Sequence, residues 1–361
     1  MTEKEALIAL AVFVPFGPAR IKLFLEYFGS ARETWKAETI RFKEIGVSEK
    51  LVNEFSGFRN HFDFSSYFAK LSKIGVSVAT VTDKNYPEKL KQIDDAPIVL
   101  YIKGELKNVD ELSIAIVGSR KVTSYGREVA EKISSELAAA GVTIISGLAL
   151  GVDGVAHRAA LEVGGRTIAI LGNGLDQIYP PSHRELAQKI TEHGALISEY
   201  PLGHSALPMN FPYRNRIISG MSLGVVVIEG TEKSGTLLTA SHAARQGREV
   251  FAVPGPITSP NAAAPNLLIK QGAKVVTNVN DILEELDIKH QTSSIKHREL
   301  LPETEEERLI FQLIEIEPLH VDEIIRRVEL DGGLVLSTLT TMELKGIVKN
   351  IGGNVYKIIE I

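Results

Sequence analysis

Cationic side chains and a small polar turn lie close together in the middle of the chain. Arg214 and Arg216 flank Asn215, and Lys233 immediately precedes a turn at residues 234–236. Guanidinium and ammonium groups bind phosphate and carboxylate oxygens, and backbone N–H groups in a small-residue turn bind the same anions. These residue types therefore predict a site for a ligand that carries phosphate groups.

The pattern around this turn predicts the elements that must position it. The apolar run Leu223–Ile228 is typical of a strand buried on both faces, and Leu237–Gln246 has the spacing of a helix. A second short strand is predicted at Glu249–Val253. A strand, a glycine turn and a helix N-terminus direct free N–H groups and the helix dipole toward one point, which supports the prediction of an anion site.

Strand and helix patterns alternate over the whole region from Ile114 to about Leu286. We predict further strands at Ile114–Val117, Val142–Ser146, Thr167–Leu171 and Ala195–Ser198, and helices at Tyr125–Ala140, Gly154–Val163 and His183–His193. The strand predicted at Ile98–Ile102 is expected to join the same sheet. This alternation predicts an α/β fold, a doubly wound Rossmann-like parallel sheet. Ligands of such sheets bind beyond the carboxyl ends of the strands, which is where the glycine turns of this sequence lie.

Two further glycine turns follow predicted strands. Gly118, Ser119 and Arg120 close the first strand, and the guanidinium of Arg120 could bind a ligand phosphate or, equally well, a structural carboxylate. The segment that begins at Ser146 and contains Gly147 lacks the G-x-G-x-x-G spacing of dinucleotide-binding proteins. NAD is therefore not expected as a ligand.

An aromatic residue, Phe211, lies just before the two arginines. An aromatic ring beside arginine suits a single strand of nucleic acid, because the ring stacks on a base while the arginine binds phosphate. Core packing is the alternative for Phe211. The residues around Arg214 and Arg216 are small, so we expect them to leave both cations accessible.

The sequence offers little for catalysis or for a metal. Asp153 and His157 lie on one helix face without a third ligand, so we interpret Asp153 as a first-turn helix residue and His157 as a packing residue. The sequence contains no P-loop, nucleophile elbow, metalloprotease motif or evident pair of carboxylates. We therefore expect a binding protein rather than an enzyme, with no catalytic residues, no cofactor and no metal.

The flanking segments predict separate domains on either side of the sheet. Residues 1–75 are helical with two glycine turns, a pattern that resembles a helix-hairpin-helix (SAM-like) domain and suits contact with either a DNA backbone or a protein. Residues 76–288 hold the sheet, and residues 289–301 are a polar linker. Residues 302–361 predict three helices and a hairpin, typical of a winged helix. This last segment has six Lys and Arg against twelve Asp and Glu, which favours contact with a protein over contact with DNA.

Composition sets the broad class of the chain. The 361 residues have a net charge of -5 and include no cysteine, and no apolar run approaches the ~20 residues of a membrane helix. We therefore predict a cytoplasmic protein without a membrane span. Any nucleic-acid site must be a local cluster of cations, because the chain as a whole is not basic.

Five motifs, in this order, resemble those of the DNA-processing protein A (DprA/Smf) family. They are Gly118-Ser119-Arg120, SGLALGVDGVAH from Ser146, ISEYP from Ile197, FPYRNRIISG from Phe211 and KSGTLLTASHAARQGREVFAVPG from Lys233. The resemblance covers the whole α/β region. The flanking segments also resemble the N-terminal helical domain and the optional C-terminal winged helix of this family.

The resemblance implies a bacterial protein that binds single-stranded DNA. It implies that the protein helps to load the RecA recombinase onto the strand, past single-strand binding protein, during natural transformation. It further implies a homodimer that is not an enzyme. The residues predicted to bind DNA are Gly118, Ser119, Arg120, Gly147, Phe211, Arg214, Asn215, Arg216, Lys233, Ser234, Gly235 and Thr236.

A different class of protein shares this kind of sheet. The cytokinin-activating phosphoribohydrolases carry the motif P-G-G-x-G-T-x-x-E, whose glutamate serves catalysis. Here Gly235 and Thr236 are followed by Thr239 at the position of that glutamate. The alternative function, a nucleotide-binding phosphoribohydrolase-like enzyme, would therefore lack its acid–base residue.

Overall fold

The computed structural model describes residues 1–288, 302, 304–328, 330–345 and 347–358. The chain divides into two compact units, one reaching Gln291 and the other starting at Thr292. The linker predicted at residues 289–301 lies outside the described residues.

The first unit is built on one sheet of nine strands. Its strands are β1 (Val76–Thr80), β2 (Val99–Gly104), β3 (Ser113–Val117), β4 (Thr143–Ser146), β5 (Thr167–Leu171), β6 (Gly194–Ser198), β7 (Gly224–Val227), β8 (Glu249–Ala252) and β9 (Lys274–Val275). The spatial order is β1-β2-β6-β5-β4-β3-β7-β8-β9. All pairs from β6 to β9 are parallel, whereas β1 pairs antiparallel with β2, and β2 with β6. The predicted α/β class is confirmed, with two antiparallel strands added at one edge.

Helices cover both faces of this sheet. They are α1 (Glu3–Val12), α2 (Gly17–Phe28), α3 (Ala31–Lys36), α4 (Thr39–Glu44), α5 (Glu49–His61), α6 (Phe64–Lys73), α7 (Glu88–Lys91), α8 (Ser124–Ala139), α9 (Val152–Glu162), α10 (Arg184–His193), α11 (Asn210–Met221), α12 (Thr236–Arg245), α13 (Ala263–Lys270) and α14 (Asn280–Glu285). Ala115 and Val117 of β3 belong to one hydrophobic core, and Ile114 and Ile116 to another. This alternation follows from the two-residue period of a strand, and it explains why β3 is apolar throughout.

The helices of residues 1–75 share a hydrophobic core with the sheet. Phe16, Phe24 and Phe55 pack in the same cluster as Tyr101 of β2, and the cluster extends to Leu171 of β5. The boundary predicted after residue 75 is therefore a change of element type within one compact unit. Among the described residues no single helix is long and apolar enough to cross a membrane; Glu3–Val12 and Val14–Phe28 meet that test only as a pair, bent by 82°.

The second unit contains three helices and a small sheet. Its elements are α15 (Glu305–Ile316), β10 (Leu319–His320), α16 (Val321–Val328), α17 (Gly332–Leu344), β11 (Val348–Asn350) and β12 (Val355–Ile358). Ile310, Ile324 and Leu339 bring one residue from each helix into its core. The predicted winged helix is confirmed, and β10 was not predicted because a two-residue strand has no readable period.

Candidate functional site

A pocket of about 250 Å³ lies at the carboxyl ends of the central strands. The chain leaves β3 and β7 on either side of the point where the strand order reverses, which is the usual ligand position in such sheets. The pocket is lined by the following predicted residues: Gly118, Ser119, Arg120, Phe211, Arg214, Asn215, Ser234, Gly235 and Thr236. Three segments far apart in sequence thus meet in one place. We call this space the central pocket.

Helix α11 brings most of these side chains together. Phe211, Arg214, Asn215 and Ile218 line the central pocket, and their spacing places them on one face of a helix. The helix was not predicted, because polar residues and Pro212 interrupt its apolar pattern. The spacing of these four residues was the signal that could have revealed it.

Arg214 lies at the floor of the central pocket and is almost fully buried, with 3% of its surface exposed. Its Nη1 donates hydrogen bonds to the carbonyl oxygens of Gly147, at 2.7 Å, and of Ile170. Burial lowers the pKa of Arg214 to about 10, although nearby Asp153 opposes this shift. The expectation of an accessible cation at this position is therefore wrong. The residues next to Arg214 in the sequence are small, but its side chain is covered by groups from strands that lie far away in the sequence.

Gly147 owes its identity to Arg214. A Cβ atom at residue 147 would lie 2.5 Å from Nη2 of Arg214, so any side chain there would displace the guanidinium. Gly147 lines a small recess of about 50 Å³ that adjoins the central pocket, together with Arg120 and Phe211. Its role is thus to admit Arg214 beneath the site.

Arg216 does not line the central pocket, and its side chain is fully buried. Its Nη2 lies 2.5 Å from Oε2 of Glu199, and its Nε lies 3.2 Å from Oδ2 of Asp95. The guanidinium also lies 4.2 Å from the centre of the Tyr213 ring. The expectation that Arg216 is accessible to a ligand is wrong, because two carboxylates remote in sequence pair with it.

Arg120 is the exposed cation of the central pocket. Its guanidinium lies 5.3 Å from the centre of the Phe211 ring, within the range of a cation–π contact. In the part of the chain that the structure describes, no carboxylate forms an ion pair with Arg120. The alternative of a structural carboxylate partner therefore finds no support. Lys233, also exposed, lies next to the turn but does not line the pocket.

Tyr179 extends the aromatic surface beside Arg120. Its ring centre lies 5.5 Å from that of Phe211, and 46% of its surface is exposed. Tyr179 and Leu150 line the small recess next to the central pocket. Tyr179 and Phe211 lie far apart in the sequence, and only the fold places them side by side.

The N-terminus of α12 forms another wall of the central pocket. Gly235 occupies the N-cap position and makes no side-chain cap. Ser234 Oγ accepts hydrogen bonds from the backbone N–H of Thr236, at 3.3 Å, and from its hydroxyl, at 2.9 Å. The first-turn N–H groups of Thr236 and Leu237 thus donate to Ser234. The turn therefore contributes to the central pocket chiefly the positive end of the helix dipole.

Asp153 holds the turn after β4 in place. Its Oδ2 accepts hydrogen bonds from the backbone N–H groups of Gly147, at 3.1 Å, and of Ala149, at 3.3 Å. Burial raises the pKa of Asp153, while Arg214 and these N–H groups oppose the rise. The interpretation of Asp153 as a first-turn residue of α9 is confirmed.

His157 is fully buried, which confirms its interpretation as a packing residue. Its Nδ1 lies 2.7 Å from Oγ1 of Thr167, whose hydroxyl donates to the carbonyl of Ile144. Nδ1–H must therefore be the donor, and Nε2 has no hydrogen-bond partner among the described residues. No group of three potential metal ligands occurs in the described ranges.

This buried imidazole makes stability depend on pH. Burial lowers the pKa of His157 to about 3, from 6.5. The unfolded chain takes up a proton below about pH 6.5 and the folded chain does not, so stability should fall as the pH falls. Between about pH 7.5 and about pH 5 we expect His157 to account for a loss of about 1–2 kcal/mol in the free energy of unfolding. Urea unfolding of the native protein and His157→Leu at both pH values measures it.

The exposed His193 provides the matched control for this experiment. His193→Leu should retain the full pH dependence of the native protein, whereas His157→Leu should lose part of it. An identical pH dependence in the native protein and in His157→Leu would show that this imidazole is not held neutral by burial.

A buried carboxylate between β7 and the turn is engaged elsewhere. Glu229 is buried, and it accepts hydrogen bonds from the backbone N–H of Thr123, at 3.0 Å, and from its hydroxyl, at 2.7 Å. Thr239 takes the position of the hydrolase glutamate and is 2% exposed. Glu229 thus anchors the N-cap of α8.

The fold and the pocket together define a class, a Rossmann-like α/β protein with a donor-lined pocket at its switch point and a separate winged-helix unit. Sequence comparison narrows this class to one family. Residues 77–287 match the family described as DNA recombination-mediator protein A, and residues 296–354 match the DprA winged helix domain. The chain belongs to the DNA recombination-mediator protein A family.

Similar proteins occur in several bacteria. Protein Smf of Escherichia coli is 52% identical over 202 residues, which cover 56% of this chain and 54% of that protein, so the match spans about half of the E. coli protein. The DNA processing protein DprA of Bacillus subtilis is 42% identical, over 62% of this chain and 78% of that protein. The crystal structure of DprA from Streptococcus pneumoniae matches with a TM-score of 0.68 and 34% identity, covering 79% of this chain and 98% of that one.

A structure of DNA processing protein A from Helicobacter pylori also matches. Its TM-score is 0.54 and its identity 30%, over 60% of this chain and 97% of that one. The description of that structure concerns a mode of binding single-stranded DNA.

Proposed function

We propose that this protein binds single-stranded DNA through the central pocket and the aromatic surface beside it. The observation that carries the proposal is the exposed guanidinium of Arg120, which lies over Phe211 next to exposed Tyr179 and has no carboxylate partner in the described ranges. A cation and exposed aromatic rings are what an unpaired strand needs, one for phosphate and the others for bases.

The geometry assigns different roles to the predicted residues. Arg120, Ser234 and Thr236 would contact phosphate, with Lys233 adding charge at the edge. Phe211 and Tyr179 would stack on bases. Arg214 would act without contacting DNA: it positions Gly147 through a hydrogen bond, and its buried charge raises the positive potential of the pocket. Arg216 is left out of the DNA site, because its charge is neutralised elsewhere.

The relatives support this proposal. The H. pylori structure is described by its binding of single-stranded DNA, and the B. subtilis and S. pneumoniae proteins are named DNA processing protein DprA. By the family resemblance we extend the proposal to recombination mediation: loading of RecA past single-strand binding protein, action as a homodimer, and a role in competence for natural transformation. A cytoplasmic location and the absence of enzymatic activity belong to the same proposal.

A binding function also fits the chemistry of the central pocket better than hydrolysis does. Proton transfer needs an acid or base within hydrogen-bond reach of the reacting group. Thr239 is a buried threonine, and Glu229 is held by Thr123. Asp153, which lines the pocket floor, is held by two backbone N–H groups. The burial and hydrogen bonds of these three residues favour a structural role over proton transfer.

Single strands should bind more tightly than duplex of the same sequence. Stacking on Phe211 and Tyr179 requires an unpaired base, and each stacked base contributes about 1–3 kcal/mol, so we expect a preference of about tenfold or more. Fluorescence anisotropy with labelled single strands and duplexes across a salt series measures it. Affinity should fall as salt rises, because phosphate contacts release counterions. Equal affinity for duplex at matched salt would refute the proposal.

Removal of residues 302–361 should leave the affinity for single strands within about threefold of the full chain. The reason is charge: this segment has six Lys and Arg against twelve Asp and Glu, and its described part folds as a unit of its own. Anisotropy titrations of both forms at the same salt concentration provide the comparison. A loss of tenfold or more, about 1.4 kcal/mol, would place the winged helix in the DNA site.

A further inference from the structure

A second, larger cavity lies on the other side of helix α11. Its volume is about 410 Å³, and its lining is mostly apolar. It is formed by the start of β2, the chain just after β6, the segment before α11 and the helices α1 and α2, all within the first unit. Because β2 runs antiparallel to β6, its start lies at the same sheet edge as the carboxyl end of β6. We call this space the side cavity.

One buried acceptor in the side cavity lacks a partner. Glu199 lines the cavity, and its side chain is 8% exposed. Its Oε2 binds Arg216, but its Oε1 is buried and has no hydrogen-bond partner within the described part of the chain. A buried acceptor without a donor costs free energy, so a ligand that donates a hydrogen bond here would be favoured.

The charges around Glu199 decide which ligands can enter. Arg216 is paired with two carboxylates, Glu199 and Asp95, so this group of three offers no unpaired cation. Asp95 is about half exposed. Phosphate is therefore disfavoured here, unlike in the central pocket, where Arg120 is exposed and unpaired by any described carboxylate. The side cavity therefore suits a neutral group with an N–H donor.

The walls of the side cavity suit a flat ring. Tyr200 and His204 stack with ring centres 4.5 Å apart and planes 4° from parallel. Leu207 and Met209 lie at the rim, and Met209 is 75% exposed. Unbranched methionine adapts to the shape of a ligand. A planar heterocycle could thus be enclosed by apolar groups while its edge reaches Glu199.

The side cavity lies close to the proposed DNA path. Asn210 and Tyr213 of α11 line the side cavity, and Phe211 and Arg214 of the same helix line the central pocket. The two spaces are therefore separated by the ~10 Å diameter of one helix, which a short stretch of single strand can span. A strand whose phosphates occupy the central pocket can place a neighbouring base here.

We infer that the side cavity holds one unpaired nucleobase whose exocyclic amino group donates a hydrogen bond to Oε1 of Glu199, an inference that rests on the proposed binding of single-stranded DNA. Adenine, cytosine and guanine carry such a group. Thymine does not, and its single ring N–H lies between two carbonyl oxygens that a carboxylate repels. The pocket thus discriminates between bases at one position of an otherwise sequence-tolerant track.

The test uses a dT oligomer and the same oligomer with one dA placed at each position in turn. We expect one position at which dA binds about threefold to tenfold more tightly, the effect of one hydrogen bond. Ala11→Phe and Val14→Phe, which fill the side cavity from two different elements, should abolish this preference and leave the affinity for dT unchanged. Ala19→Phe, an exposed position on α2 outside the cavity lining, should retain it.

Titrations with free nucleosides test the side cavity independently of strand binding. Adenosine should bind more tightly than thymidine in calorimetric titrations, and the two filling variants should abolish adenosine binding while Arg120→Ala should not. A dT oligomer that binds without any position favouring dA would overturn the base pocket and leave the proposed function intact. If no oligomer binds, the proposed function fails, and the adenosine titrations decide the inference. A dA preference that survives both folded filling variants overturns it as well.

Discussion

Replacing Arg216 with alanine should destabilise the protein by about 3–5 kcal/mol, because it leaves a buried carboxylate without its countercharge. Arg216 is fully buried between Glu199 and Asp95. Burial already raises the pKa of Glu199 to about 7, and Arg216 is the main group that opposes this rise. Without the guanidinium, Glu199 must either stay charged in an apolar setting or take up a proton. Both outcomes cost stability.

Urea unfolding at neutral pH measures this effect, with Arg184→Ala as the control. Arg184 is an exposed arginine at the start of α10, and surface substitutions of this kind change stability by about 0.5 kcal/mol or less. The double variant Arg216→Met with Glu199→Gln should recover part of the loss, because both charges are then removed together. If Arg216→Ala instead keeps its stability and loses DNA affinity, Arg216 belongs to the binding site after all.

The sheet could be predicted from the sequence because its signals are local. The strand expected at Ile114–Val117 is observed at Ser113–Val117, and the strand expected at Thr167–Leu171 is observed with the same bounds. Each is an apolar run of the length of one strand, bounded by residues that end it. The antiparallel direction of the two edge strands could not be predicted in this way, since strand direction depends on pairing partners that no local pattern reveals.

The positions of the motifs could also be predicted, but the environment of the arginines could not. Strand ends meet at one edge in any parallel sheet, and the glycine turns after β3 and β4 therefore had to lie near each other. The burial of Arg216 depends on Asp95 and Glu199, which belong to other segments of the chain. Neighbours in sequence gave no sign of these partners.

Replacing Arg120 with alanine should weaken binding of single-stranded DNA by about 1.5–3 kcal/mol, the contribution of a charge-assisted hydrogen bond, which is about tenfold to 150-fold in the dissociation constant. The reason is that Arg120 is exposed, lies over Phe211 and has no carboxylate partner among the described residues. The stability of the Arg120→Ala protein should change little, since no buried charge is left behind. The slope of log affinity against log salt concentration should also become shallower, by the contribution of about one phosphate contact.

Arg120→Lys and Lys121→Ala distinguish the guanidinium from simple charge. Lys121 is the exposed neighbour of Arg120 and does not line the central pocket, so Lys121→Ala removes the same charge without the proposed contact and should weaken binding far less. Arg120→Lys keeps the charge but loses the planar fork and its stacking on Phe211, and should recover only part of the affinity. Thermal midpoints and anisotropy titrations are needed for all three variants. If Lys121→Ala weakens binding as much as Arg120→Ala does, the site is a diffuse field of charge, and the central pocket does not hold the strand.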